Sequence, residues 1–214
     1  MFSVRLLPIL LVAALASPAT ANAQCRTPDT QTKAGIVKIE GETTAGSGVV
    51  VAPGLVLTAA HVIEGVDAID VIVQQHPRPA HLISRDTTID LALLAVDTDG
   101  ITPLPLRRSE LDKKTPVWAV GYAFGKRLKT GKGKVRTLAN RLIYTSAPVN
   151  FGQSGGGLLS CENGRHVLTG IIRAFGAEKK GGKLVRRNDI SVATRTDDTR
   201  LFIDSNRMYV SLRR

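Results

Sequence analysis

The chain has 214 residues, 43% of them hydrophobic, and carries 29 Lys and Arg against 18 Asp and Glu, a net charge of +11. This is the composition of a folded globular protein and excludes an acidic, disordered chain. Beyond the N-terminus, no apolar run is long enough for a transmembrane helix. The basic excess favours anionic partners, but no groove-reading motif or aromatic platform indicates a specific nucleic-acid partner.

Residues 1–23 have the pattern of a secretory signal peptide. Arg5 supplies a positive n-region, Leu6 to Ala16 form a short apolar core, and Ala21-Asn22-Ala23 is a cleavage site of the A-x-A type. We therefore predict an exported protein, periplasmic or secreted, without a transmembrane segment after signal removal. An uncleaved anchor is the alternative. The residues before Cys25 lack the pattern of a lipoprotein.

The chain contains two cysteines, Cys25 and Cys161. Because export leads to an oxidising compartment, we predict that they form a disulfide. The alternative is two free or intermolecular thiols. Closing so long a loop would contribute on the order of 4 kcal/mol to stability in the chain-entropy model.

From Ala34 onward the sequence alternates short apolar runs with Gly, Pro and Asp, a pattern that indicates an all-β fold. The roughly 190 residues left after signal removal are enough for two small fused barrels. The predicted strands are Ile36–Ile39, Gly46–Val51, Leu55–Leu57, Ile69–Val73, His81–Ile83 and Leu91–Val96, then Val117–Gly121, a hairpin around Lys126–Lys134, Leu142–Thr145, Gly157–Leu159, Val167–Ala174 and Asp189–Ala193.

A proline-containing stretch from Ile101 to Thr115 is the predicted linker between two halves. The N-terminal barrel would cover residues 24–106 and the C-terminal barrel residues 107–214. A final helix would begin with Thr196 or Asp197 as its N-cap.

The segment from Asn150 to Gly157 contains a serine, Ser154, between glycines. Glycines allow the tight backbone turns that point consecutive N–H groups at one place, and such a nest can stabilise an oxyanion. The donors would be the N–H groups of Gly152 and Ser154. A glycine-rich surface turn without chemistry is the alternative.

Two further motifs lie upstream. His61 ends the run Leu57-Thr58-Ala59-Ala60, and Asp90 opens the apolar run Leu91-Ala92-Leu93-Leu94. With Gly-Gln-Ser-Gly-Gly, these motifs resemble those of trypsin-like serine peptidases, in the order His, Asp, Ser that this family uses. The resemblance covers about Gly35 to Met208.

The resemblance implies two six-stranded antiparallel β-barrels of the chymotrypsin type with a short C-terminal helix. It implies that Ser154 is the nucleophile, His61 the general base and Asp90 the residue that orients the imidazole. An acyl-enzyme intermediate would be hydrolysed by water, with no metal or organic cofactor. Among the other aspartates, Asp86, Asp97 and Asp99 compete with Asp90 but lie in stretches typical of turns.

The chain is similar to compact bacterial exported members of the family, and we expect no PDZ domain and a monomer. Gln153 stands where digestive relatives have an aspartate that pairs with a newly cut N-terminus. Glutamine cannot form that ion pair, so we expect no activation by N-terminal insertion.

By resemblance, Pro148 and Val149 form the floor of the specificity pocket, and Arg173, Ala174 and Phe175 pair with the substrate backbone. An uncharged floor leaves a buried basic side chain without a counter-ion. We therefore predict cleavage after small or aliphatic residues rather than after Lys or Arg.

Basic residues concentrate in two stretches of the second half, Lys126 to Arg136, interpreted as a hairpin tip, and Lys179 to Arg187. They could attract acidic substrates or an anionic component of the cell envelope. The alternative is that they are solvated loops that aid solubility.

The leading function is hydrolysis of polypeptides by an endopeptidase. An esterase with the same triad and a non-catalytic binding module on the same fold are the alternatives.

Overall fold

In a computed structural model of the protein, residues 25–211 are described, so the predicted signal peptide lies outside the described residues. The chain folds into two closed six-stranded antiparallel barrels, as the sequence predicts. The first comprises β1 (Ile36–Glu40), β2 (Ala45–Ala52), β3 (Leu55–Thr58), β4 (Ile69–Val73), β5 (His76–Asp86) and β6 (Leu91–Ala95).

The second barrel comprises β7 (Pro116–Ala123), β8 (Arg127–Ala139), β9 (Leu142–Thr145), β10 (Gly157–Glu162), β11 (Arg165–Lys180) and β12 (Lys183–Arg195). A short helix α1 (Thr30–Ala34) precedes the first barrel, a 3-10 turn (Ala60–Ile63) follows β3, and helix α2 (Thr196–Ser211) follows the second barrel. The segment between β6 and β7 connects the barrels, and the predicted boundary at residues 106 and 107 falls within it.

The most apolar runs of the sequence form strands whose side chains are buried on both faces of the sheet. Leu91 to Leu94 are fully buried in β6, and Leu55 to Leu57 are almost fully buried in β3, which pairs with it. One core continues from the first barrel into the second, because Trp118, Leu159 and Ile171 pack into the same cluster as these strands. The two barrels therefore share a packed hydrophobic interface.

Strand β8 corrects one sequence-based interpretation. The basic stretch from Lys126 to Arg136 is not a hairpin tip, because Arg127–Ala139 is one continuous strand paired with β7 along Pro116–Ala123. The turn lies before it, at Phe124 to Lys126. The basic residues of β8 are exposed, so they lie along a strand rather than in a cluster on a loop.

Strands β11 and β12 extend beyond the barrel as a two-stranded ribbon that the sequence pattern did not indicate. Their pairing continues to Lys180 and Lys183, and the turn between them is Gly181-Gly182, both with positive φ. The ribbon is mostly polar on both faces. Because the ribbon has no buried face, its sequence does not alternate between apolar and polar residues. The ribbon is therefore recognised only from the hydrogen bonds between its two strands.

Helix α2 begins at Thr196, one residue earlier than an N-cap at Thr196 requires and two residues earlier than an N-cap at Asp197 requires, so that prediction is wrong. The Thr196 hydroxyl instead donates to the carbonyl of Thr169 in β11. Phe202 and Ile203 of α2 pack into the shared core. The helix is therefore fixed to both barrels.

Cys25 and Cys161 form a disulfide, with their Cα atoms 5.5 Å apart, as the sequence predicts. It joins the segment before α1 to the distal end of β10. Across residues 25–211, none of the helices has the length and apolar character needed to cross a membrane.

Candidate active site

His61 lies in the 3-10 turn that follows β3. Its neighbours Ala59, Ala60, Val62 and Ile63 are all buried, so this turn is anchored by packing on every side of the histidine. The His61 side chain itself is 43% exposed. The buried neighbours therefore fix the backbone of this turn, while the imidazole is accessible to solvent.

Asp90 lies directly before β6, and its carboxylate faces the His61 ring. Both carboxylate oxygens lie 3.0 Å from Nδ1 of His61, and Oδ1 also accepts a hydrogen bond from the His61 backbone N–H at 3.1 Å. A neutral ring that donates from Nδ1 to this carboxylate leaves Nε2 free to accept a proton.

The backbone at Asp90 is left-handed, with φ of +57°. Aspartate is one of the few residues besides glycine that adopts this conformation readily. The preceding carbonyl, of Ile89, accepts a hydrogen bond at 2.9 Å from the Thr194 hydroxyl of β12, so the second barrel holds this turn in position.

The competing aspartates have other partners. Asp86 accepts hydrogen bonds from the backbone and hydroxyl of Thr88, and the hydroxyl bond holds the pKa of Asp86 below its ordinary value. Asp97 accepts from the backbone N–H of Asp99 at 3.0 Å. Both carboxylates serve local turns, whereas Asp90 alone of these contacts His61.

Ser154 lies on the loop before β10. Two neighbouring positions of this loop, Gly152 and Gly155, have a backbone conformation and a tight packing that only glycine fits. Gly155 has φ of +80°, and a Cβ atom there would lie 2.1 Å from both the Ser47 carbonyl and the Thr58 hydroxyl. Gly152 has φ of +81°, and its Cβ would lie 2.6 Å from the Tyr122 carbonyl. The glycine-rich loop is therefore packed against neighbouring strands and is not a free surface turn.

The orientation of the peptide between Phe151 and Gly152 shows where one of the two predicted oxyanion donors points. The Phe151 carbonyl accepts a hydrogen bond from the Phe124 N–H at 2.6 Å. Because C=O and N–H point in opposite directions across a trans peptide, the Gly152 N–H points away from Phe124. Within residues 25–211, neither this N–H nor that of Ser154 has a hydrogen-bond acceptor, so both are available to a ligand oxygen.

Ser47 of β2 holds the Ser154 loop from the other barrel, a role that the sequence did not indicate. Its backbone N–H donates to the Ser154 carbonyl at 2.9 Å. Its hydroxyl donates to the Gly152 carbonyl and accepts from the Tyr122 N–H, each at 2.8 Å. Ser47 is fully buried, so these bonds are shielded from competing water.

Gln153 fixes the same loop from within. It is 1% exposed, and its side-chain oxygen accepts a hydrogen bond from the Asn150 N–H at 2.8 Å. Its amide nitrogen donates to the Lys129 carbonyl of β8 at 3.4 Å. A neutral side chain thus satisfies the buried position without a charged partner.

The Ser154 hydroxyl donates to the Arg173 carbonyl at 3.4 Å. Within the described part of the chain, no hydrogen bond joins this hydroxyl to His61. Both residues line one cavity of about 470 Å³. A turn of the serine side chain about its Cα–Cβ bond would redirect the hydroxyl, and catalytic hydrogen bonds of this kind often form only with substrate bound.

Four of the five residues predicted to bind substrate line this cavity: Val149, Arg173, Ala174 and Phe175. Pro148 does not; it is exposed and packs beside Gly131 of β8. The side chain of Val149 belongs to the core of the second barrel. The wall of the cavity is therefore less aliphatic than Pro148 and Val149 suggest in sequence.

Arg186 of β12 stands behind that wall and was missed as a site residue. Its guanidinium lies 5.2 Å from the centre of the Phe175 ring and donates to the Asn150 side chain at 2.8 Å and to the Val149 carbonyl. Its Nε is buried without a hydrogen-bond partner. The signal in sequence was only a basic cluster, because the pairing that brings β12 to this wall is not local.

Phe151 and Phe175 line the cavity, and Phe124 lies next to Phe151 with 6.5 Å between ring centroids. Phe124 and Phe151 are 60% and 61% exposed, and Phe151 meets Phe175 edge to face at 4.9 Å between centroids. These rings therefore offer apolar surface beside Ser154.

A family model described as a trypsin-like peptidase domain matches residues 46–171, more than half of the chain and the whole span from Ser47 past Ser154. The chain belongs to the trypsin-like peptidase domain family. The resemblance suggested by the three sequence motifs is thereby confirmed at the level of the family.

Curated relatives of this trypsin-like domain are larger proteins. A probable periplasmic serine endoprotease, DegP-like, from Halomonas elongata is 34% identical over 129 residues, which cover 55% of this chain and 27% of the relative. The serine protease Rv3671c of Mycobacterium tuberculosis is 29% identical over 147 residues, 62% of this chain and 36% of the relative. The match thus spans about a quarter to a third of these relatives.

Solved structures agree with the fold of the trypsin-like domain. The HtrA-type protease AlgW with a tripeptide has a TM-score of 0.70 at 25% identity, over 83% of this chain and 63% of that one. An inactive form of Rv3671c from M. tuberculosis has a TM-score of 0.70 at 20% identity, over 85% of this chain and 95% of that one.

Proposed function

We propose that this protein is an exported serine endopeptidase in which Ser154, His61 and Asp90 act as a catalytic triad. The observation that carries the proposal is the pair of contacts at 3.0 Å between Asp90 and Nδ1 of His61, beside a cavity that His61 shares with Ser154. The names of the relatives, among them a probable periplasmic serine endoprotease, point to the same reaction class.

In the proposed reaction, Ser154 attacks the carbonyl carbon of a peptide bond while Nε2 of His61 takes the hydroxyl proton. The oxyanion is stabilised by the N–H groups of Gly152 and Ser154. The imidazolium then gives its proton to the leaving amine, and an acyl group remains on Ser154. Water, activated by His61, hydrolyses this ester and restores the free serine.

The substrate binds as an added strand in this proposal. The backbone of Ile172 is already used within the barrel, since its carbonyl accepts from Gly155 and its N–H donates to Gly156. The next residues, Arg173 to Phe175, border the cavity and continue the same edge. An extended peptide paired there would bring its scissile carbonyl towards Ser154.

A basic side chain before the scissile bond is disfavoured in this proposal. Among the described residues lining the cavity no carboxylate is present, and the Arg186 guanidinium lies behind its wall. A buried Lys or Arg would meet a like charge without a counter-ion. The preference for small or aliphatic residues stays a prediction, and a peptide-library profile dominated by Arg would contradict it.

The decisive experiment is labelling with a fluorophosphonate probe. The wild-type protein should be labelled on Ser154 and should cleave an unfolded protein substrate, and Ser154→Ala should do neither. Ser160→Ala is the control, because Ser160 is a fully buried serine in β10. Labelling that persists in Ser154→Ala would exclude this serine as the nucleophile.

The alternatives give different results in the same assay. An esterase would be labelled but would hydrolyse only ester substrates. A binding module would retain a folded triad without labelling.

Export to the periplasm, a monomeric state and attraction of the basic surface for an anionic envelope component are further parts of the proposal. Cell fractionation, sedimentation and salt-dependent binding to anionic vesicles test them separately.

A further inference from the structure

Arg173 contacts both ends of the proposed triad. Its side-chain Nε lies 3.3 Å from Oδ2 of Asp90, and its own carbonyl accepts the hydrogen bond from Ser154. The register of β11 against β12 shifts between Ile172 and Ala174, so Arg173 is the extra residue of a β-bulge. Bulges redirect a side chain out of the regular alternation of a strand.

The carboxylate of Asp90 is in an environment where its charge needs compensation. The side chain is 8% exposed, and its only partners among the described residues are the backbone and ring of His61 and the guanidinium of Arg173. When the imidazole is neutral, Arg173 is the only cation in contact with Asp90. A buried carboxylate without such a partner would be costly to ionise.

One other charged group faces the histidine. Glu64 lines the cavity of about 430 Å³ that also contains His61, Asp90 and Arg173. The cavity beside Ser154 adds no charged residue to this set. Two carboxylates and one guanidinium therefore lie around His61 among the described residues.

We propose that Arg173 is a positioning residue that acts through Asp90: it holds the carboxylate in line with the imidazole and shares the negative charge of that carboxylate. The inference rests on the proposed function. It adds a residue to the machinery whose effect is on the pH range of activity rather than on a bond-making step.

The physical argument concerns the two charge states of His61. An imidazolium beside Asp90 gains the attraction of the carboxylate but suffers the repulsion of a guanidinium already bonded to that carboxylate. Removing the positive charge of Arg173 should therefore favour the imidazolium. The Arg173 side chain is 35% exposed, so solvent screens part of this effect.

The experiment measures kcat/KM against pH for the wild type, Arg173→Gln, Arg173→Lys and Arg78→Gln. In the profile of kcat/KM against pH, activity is lost on the acid side, which is called the acid limb. The glutamine variant should move the midpoint of this limb to higher pH by about 0.5–1 unit. Lysine retains the charge and should leave the limb close to the wild-type position. Arg78→Gln removes the same charge from an ion pair with Asp97, outside the triad, and should not move the limb.

A second readout does not depend on activity. In the Ser154→Ala background, NMR titration of the His61 ring protons should show the same upward shift of the midpoint when Arg173 is replaced by Gln. This separates the inference from the proposed function, because coupling between Arg173 and His61 is measured even if no peptide is cleaved. Circular dichroism and thermal melting confirm that each variant is folded.

Two results would overturn the inference. One is an unchanged acid limb in Arg173→Gln with only a uniform fall in kcat, which indicates a structural role. The other is an equal shift in Arg78→Gln, which indicates a general effect of net charge.

Discussion

Ser47 and Ser154 lie in different barrels, and the backbone N–H of Ser47 donates to the Ser154 carbonyl at 2.9 Å. The hydroxyl of Ser47 reaches the same loop at the Gly152 carbonyl, at 2.8 Å. The loop that would supply both the nucleophile and the oxyanion donors is thus held by a strand that carries no proposed catalytic residue. Its geometry depends on contact between the barrels.

Replacement of Ser47 by alanine should damage stability and activity together. The partly buried Gly152 carbonyl and Tyr122 N–H would each lose a partner, so the free energy of unfolding should fall by about 1–3 kcal/mol. Because the oxyanion donors would be less firmly held, kcat should fall by about tenfold or more. Urea denaturation and steady-state kinetics measure the two effects.

Ser160→Ala is the matched control for that variant. Ser160 is also fully buried, and its hydroxyl bonds to Thr169 and Arg107. Its loss should lower stability by a similar amount and leave kcat unchanged. Equal losses of activity in the two variants would show that Ser47 has no special relationship with the site.

Asp90→Asn should abolish most activity while the fold is retained. Asparagine also adopts a left-handed backbone readily, so the φ of +57° can be kept. The amide would stabilise the wrong imidazole tautomer, and kcat should fall by about 10⁴-fold. Kinetics on a peptide substrate measure the loss, with Asp86→Asn as the control that should remain active.

The disulfide should contribute to stability rather than to chemistry. Replacing both Cys25 and Cys161 by serine removes a crosslink across a sequence separation of 136 residues. The free energy of unfolding should fall by about 3–5 kcal/mol, as expected for the closure of a long loop. Folded variant protein should keep its kcat; identical urea midpoints for wild type and variant would contradict the prediction.

Extra residues before Cys25 should not reduce activity. The side chain of Gln153 is hydrogen-bonded to Asn150 and Lys129, so it needs no ion pair with a newly cut N-terminus. A protein with ten added N-terminal residues should match the activity of one that begins near Gln24. Inactivity that is relieved by trimming would refute this.

Specificity should depend on Arg186. Arg186→Gln removes the cation behind the cavity wall while an amide can still reach Asn150. Relative to the wild type, cleavage after Lys or Arg should become less unfavourable, by about tenfold or more in kcat/KM. A peptide library compares the two proteins, with Arg187→Gln as the control because Arg187 pairs with Asp189. An unchanged profile would remove Arg186 from the specificity determinants.

The sequence by itself determined the class of fold, the disulfide and the family. Short runs of Val, Ile and Leu between Gly, Pro and Asp specify strands, since this patterning is local and repeats with each strand. The roles of His61, Asp90 and Ser154 stay predictions, made from three local motifs in the order that the family uses.

Only the tertiary structure decided which side chains surround them. Ser47, Arg173 and Arg186 contribute through partners that lie up to 107 positions away in the sequence, and only strand pairing and barrel contact select those partners. The ribbon formed by β11 and β12 likewise has no buried face, so its apolar pattern is absent. The local sequence pattern indicates which side chains of each segment are buried. Hydrogen bonds and ion pairs across the cleft depend instead on how the two barrels pack against each other.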